Sequence, residues 1–199
     1  MKTFEEFQAL FNEDLNTWTL KQNSKEASFL KNGYRSTVRQ RKNPPFAVDL
    51  VRADYVFKNA DLQKFYNYFD KASGNAIKEC TELEVLPNGD KIVYIRLRVP
   101  MMTDRDSAQY QHIEKVNGGL FISSQTVDWP ACPPKPGIVR MNMTLYFYIR
   151  PDEHDASLTH LTQFLHHDLK GNIPTRLLNM IIAGEVVKEA KAINAVLKI

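Results

Sequence analysis

Two glutamates and a set of histidines are the side chains in this sequence with the means for acid–base or ligand chemistry. Glu185 and Glu189 stand in a proline-free C-terminal run that begins after Pro174. Advancing by about 100° per residue from Leu178 puts both close to the middle of the stripe formed by Leu178, Ile181, Ile182, Val186 and Ile193. A carboxylate facing a dry interior must find a cation, a hydroxyl or the polar group of a bound molecule. Arg105 and Gln163 are candidate partners. If the face rotates at Gly184, or the helix runs past the sheet edge, both acids are instead solvated. His160 and His166 share one parity of the segment 158–168, and His167 takes the other beside Leu161, Gln163 and Leu165. These positions lie too far along one strand to converge on a metal without His112 or His154, so surface or capping roles and no metal site are expected. No Gly-x-Ser-x-Gly elbow and no phosphate-binding glycine loop is present, and Cys132 sits among prolines without an obvious base. No covalent chemistry and no cofactor are expected.

The elements that must position these groups follow from periodicity. Asp168-Leu169-Lys170-Gly171-Asn172-Ile173-Pro174 is a breaker with proline at a first helical turn. The helix it opens, roughly 24 residues long, spans about 36 Å, enough to cross a small domain. Thr3, with Glu6 three residues on, caps a first amphipathic helix from Thr3 to about Leu15. Lys31-Asn32-Gly33 reads as a hairpin turn between strands at 27–30 and 34–41, and 46–57 as a third strand. Asp61 caps a short helix carrying Leu62, Phe65, Tyr66 and Phe69, and a second helical piece is expected around 76–79. Strands follow at 81–86, 91–99, 107–116, 120–127, 137–150 and 158–168, with tight turns at Asn88-Gly89 and Asn117-Gly118-Gly119. In the strand 137–150, Val139, Met141, Met143, Leu145, Phe147 and Ile149 alternate with Arg140, Asn142, Thr144, Tyr146, Tyr148 and Arg150, which predicts one dry and one wet face. The result is an α+β fold: an antiparallel sheet of about nine strands in one domain over 1–199, with an N-terminal helix, a short helical insertion and a long C-terminal helix. A sheet with one apolar face needs a cover, and the terminal helix supplies it. Periodicity alone leaves open whether the stripe closes a solid core or a cavity.

A chain of 199 residues, 43% hydrophobic and 25% charged, can bury a sizeable core. The net charge of +3 is too mild, and no basic run is long enough, for a nucleic-acid surface. Two cysteines, Cys80 and Cys132, are too few for a disulfide framework and read as reduced thiols. No apolar leader and no long uncharged run is seen, so a cytoplasmic protein is expected; a monomer is the expected state.

The second half resembles the START (StAR-related lipid transfer) domains of the helix-grip fold. Val127-Asp128-Trp129-Pro130 with Pro133-Pro134-Lys135-Pro136-Gly137-Ile138-Val139-Arg140 is similar to that family's loop-then-strand pattern. Arg105-Asp106 falls where the family carries such a pair, and Asp168-Leu169-Lys170-Gly171 with Ile173-Pro174 resembles the start of its last helix. Ser107-Ala108 and Asn172 depart from the family pattern, which bears on ligand class. The resemblance implies a curved sheet wrapped around the terminal helix. It also implies one lipid in an interior tunnel, with transient contact at a membrane surface and no enzyme activity. The lining is then expected from Val139, Met141, Met143 and Leu145 opposite Leu178, Ile181, Ile182 and Ile193, with Gln163 and Glu185 as polar groups. Arg105 is placed beside the mouth, and Met101 and Met102 in a lid loop suited to entering a bilayer. A phospholipid is the expected ligand class. The alternatives are a small-molecule enzyme using Glu185, Arg105 or His166, and an interaction module with a filled core.

Overall fold

The computed structural model describes residues 3–24, 29, 31–70, 77–99 and 102–197. The chain opens on helix α1 (Phe4–Phe11), where the Thr3 hydroxyl accepts from the Glu6 N–H and Glu6 Oε2 accepts from the Thr3 N–H. This capping box pairs two N-terminal donors locally. The helix stops at Phe11, short of Leu15, because Asn12 caps it and a single 3₁₀ turn follows at Leu15–Thr17.

Among the described residues ten strands come next: β1 (Thr19–Asn23), β2 (Tyr34–Arg41), β3 (Leu50–Lys58), β4 (Ile77–Val85), β5 (Lys91–Leu97), β6 (Arg105–Val116), β7 (Gly119–Thr126), β8 (Val139–Arg140), β9 (Asn142–Pro151) and β10 (Leu158–Asp168). Helix α2 (Leu62–Asp70) follows β3, and α3 (Thr175–Leu197) follows β10. The strand order is β1-β2-β3-β10-β9-β7-β6-β5-β4, with every pair along this path antiparallel. Helix α3 lies across β2 and β3 on the inner face and meets α2.

Three expectations change. Asn32-Gly33 does not turn a hairpin: Phe29, Lys31 and Asn32 are helical, and Gly33, at φ 77°, donates its N–H to the Phe29 carbonyl at 2.9 Å. A glycine with positive φ ends a helix as readily as it turns a hairpin. The strand expected at 27–30 lies largely outside the described residues. Ile77–Glu79 are strand, not helix, because they pair with β5 from Leu97 to Arg96. The strand expected over 137–150 is broken at Met141, where β8 leaves the line of β9 to run parallel to β6, Arg105 opposite Val139.

The larger correction concerns the wet face. Tyr146 and Tyr148 are buried with Phe121, Phe164 and Trp18 under α1, whose Phe7 is fully enclosed. Phe7 meets Phe121, Tyr148 and Phe164 with ring centroids 5.5 to 5.6 Å apart in tilted or edge-on geometry, the arrangement aromatic rings favour. Further along the same face, Tyr94, Ala108 and Cys132 form a small cluster against Trp129, with the Lys135 ammonium 3.9 Å from the Tyr94 ring centre. Both faces of the sheet are therefore covered.

Candidate ligand-binding cavity

A cavity of about 430 Å³ lies between α3 and the inner face of the sheet. Because alternate residues of a strand share one face, β5, β6, β7, β9 and β10 each contribute every second side chain to its wall. Ile95, Ile122, Leu145, Phe147, Leu165 and Ile182 supply much of the apolar surface. Arg98 and Lys188, both exposed, and half-exposed Glu185 form its rim.

Among the residues expected to line a tunnel, Met143, Leu145, Gln163, Ile181, Ile182 and Glu185 do so. Met141, Leu178 and Ile193 are instead buried in the continuous core, and Val139 is half-buried on β8. The break at Met141 takes the first of these off the line of β9, and the other two lie at helical positions where α3 packs tightly. Met102 is half-buried against the same core, and Met101 lies outside the described residues. The three residues named for an enzyme do not converge. Arg105 is buried but does not line the cavity, His166 lies on the opposite face of β10 beside Phe46, and Glu185 pairs with Lys188 at 2.7 Å.

The inward acid is Glu189. It is partly buried and lines the cavity, and its Oε2 accepts from Gln163 Nε2 at 3.0 Å. Burial pushes its carboxyl up to about 7, against the lowering effect of the Gln163 hydrogen bond. Gln163 Oε1 in turn accepts from the Tyr55 hydroxyl at 3.1 Å, which also lies 3.0 Å from the Val186 carbonyl. Tyr68 brings a buried hydroxyl to the same cavity, and burial together with Glu189 raises its pKa. His167 is a lining residue missed by sequence reasoning, although its parity with Gln163 was visible. Burial pushes its imidazole down to about 3, so it is neutral. Gln109, Gln111 and Ser124 were also missed. Among the described residues no group of three His, Cys, Asp or Glu could hold a metal ion, and no helix is long and apolar enough to cross a membrane. Both cysteines are free.

A family model described as START domain matches residues 2–198. The chain belongs to the START domain family. StAR-related lipid transfer protein 5 of Homo sapiens is 31% identical over 81 residues, 40% of this chain and 38% of that protein. The Mus musculus protein of the same name is 32% identical over a stretch of equal length. The aligned stretch thus spans well under half of these curated relatives. Among solved structures, human StAR-related lipid transfer protein 5 has a TM-score of 0.82 at 16% identity, covering 97% of this chain and 92% of that one. Human STARD10 gives 0.79 at 16% identity, covering 98% and 80%. At these identities the structural likeness speaks for the fold.

In this START domain the sequence motifs meet as joints beside the cavity. Asp106, fully buried, accepts from Arg140 Nε at 2.8 Å, and Arg140 also donates to the carbonyls of Cys132 and Pro133, which fixes the proline loop to β6. Arg105 donates to the carbonyls of Leu169, Lys170 and Thr103, and among the described residues no carboxylate pairs with it. It therefore ties the segment before β6 to the turn that launches α3. Asp104 pairs with Lys78 and Arg96 instead.

Proposed function

We propose that this domain encloses a single lipid-like amphiphile beneath α3 and carries it between membranes, without covalent chemistry. The supporting observation is an interior apolar cavity with one buried carboxylate–amide pair, Glu189 and Gln163, at one end. Exposing a lipid tail to water costs about 0.8 kcal/mol per CH₂ group, on the order of 12 kcal/mol for a sixteen-carbon chain. A carrier must enclose the tail, and the wall formed by Ile122, Leu145, Phe147 and Ile182 offers that shelter. The polar group would sit against Glu189 and Gln163, a place that sequence reasoning gave to Glu185. A volume of about 430 Å³ lies toward the lower part of the roughly 300–1,000 Å³ range of small-ligand sites. It favours a single-chain or compact lipid over the two-chain phospholipid expected from sequence. Protein incubated with vesicles of phosphatidylcholine, free fatty acid and sterol, then isolated and extracted, is expected to carry about one lipid per chain. Ile182→Glu should abolish that load while the chain still folds. An empty extract from the unmodified protein would sink the carrier reading.

A further inference from the structure

We propose that the cavity holds a second polar subsite on its β6–β7 wall, and so selects a ligand with an uncharged hydrogen-bonding group at each end. This rests on the reading that the cavity takes an apolar ligand. The strand register divides the wall into rows. Gln163, Phe147 and Ile122 form one row across β10, β9 and β7. Leu165, Leu145, Ser124 and Gln111 form the next; beyond it His167 stands opposite Met143 and Thr126 opposite Gln109, the Met143 N–H donating to the Thr126 hydroxyl. Along β10, Gln163 and His167 are four residues apart, about 14 Å at the usual strand rise. At the first polar end Glu189, Gln163 and Tyr55 bond to one another, and one buried hydroxyl, that of Tyr68, has no partner among the described residues.

The far rows differ. Gln109 Oε1 accepts from Ser124 Oγ, but among the described residues Gln109 Nε2 has no partner. Gln111 Oε1 and His167 Nε2 have none either. All three residues line the cavity, and Gln109 and Gln111 are 0% and 9% exposed. An unpaired buried donor or acceptor carries a desolvation cost that a matching group offsets. Gln109 offers a donor, Gln111 an acceptor, and a neutral imidazole either role according to its tautomer. A hydroxyl, which donates and accepts, answers that set. The cation next in register, Lys91 opposite Gln111, is held by Glu82 at 3.0 Å, and Arg98 stands exposed at the rim, so the set suits an uncharged group over a carboxylate. Between the two ends Leu165, Leu145, Ile122 and Phe147 keep the middle apolar.

The test is displacement of an environment-sensitive apolar dye from the full chain by two probes of equal length, dodecanol and the dodecanediol with a hydroxyl at each terminus. The diol, although the more water-soluble, should displace dye at about fivefold lower concentration, the effect of one added hydrogen bond. Gln109→Leu and Gln111→Leu should each erase that preference. If unmodified protein binds dodecanol as tightly as the diol, or more tightly, the second subsite is refuted whatever the variants do. Displacement by neither probe, with empty lipid extracts, overturns the cavity reading itself and the subsite with it.

Discussion

The two faces of this sheet meet amphipathic helices and reach opposite results. On the outer face α1 sets Phe7 among Phe121, Tyr146, Tyr148 and Phe164, with ring centroids between 5.5 and 6.3 Å apart. On the inner face α3 offers Ile181, Ile182, Val186 and Ala192, aliphatic side chains without a ring, and the space between them and β6 and β7 stays open. Apolar character is common to both helices. Side-chain reach decides between a solid core and a cavity, since close packing requires partner atoms on both sides of every gap.

That contrast makes Phe7→Ala the most damaging change. It should lower the unfolding free energy by about 3–5 kcal/mol, read from denaturant midpoints, while lipid per folded chain stays constant. A near-neutral result would mean the outer core is not the tighter one. Glu189→Gln tests the inner face. Its carboxyl titrates at about 7 in the fold against an ordinary 4.5. Between those values the native state keeps a proton that the unfolded chain has released. Stability is therefore lost as pH rises through that window, by up to about 3 kcal/mol. The amide variant should show a flatter pH dependence and exceed the unmodified protein above neutrality in chemical denaturation. The smallest effects compare an added methyl or more on each side. A Cβ at Gly119 would sit 2.5 Å from the Ile149 carbonyl oxygen and 2.9 Å from the Tyr148 ring, so Gly119→Ala should cost about 1–3 kcal/mol. Ala192→Leu, projecting into the cavity, should cost less than about 1 kcal/mol in thermal unfolding and reduce the lipid load.

The strand pattern, the capping box at Thr3 and Glu6, and the long final helix were legible because each follows from local spacing. The same spacing placed Glu185 and Glu189 on one stripe but could not choose between them. That choice is tertiary: Gln163 faces Glu189 from β10, and Lys188 draws Glu185 outward. Tyr146 and Tyr148 looked wet because an aromatic hydroxyl alternating with aliphatic residues reads as an exposed face, and only the return of α1 across the sheet buries them. Gln109 and Gln111 carried no signal, since a glutamine on a strand is as much at home in water as in a cavity.

The order of strands bears on how the molecule is assembled. β3 pairs early with β2 but finds its second neighbour only in β10, Val51 opposite Leu165 and Phe57 opposite Thr159, so roughly half the chain must be made before the sheet's centre can close. Topologies dominated by such distant pairings fold slowly compared with helical bundles. Until β10 arrives, one edge of β3 stays open to pairing with another chain. The helix that roofs the cavity follows every strand in the sheet, so during synthesis the apolar wall exists before its cover does.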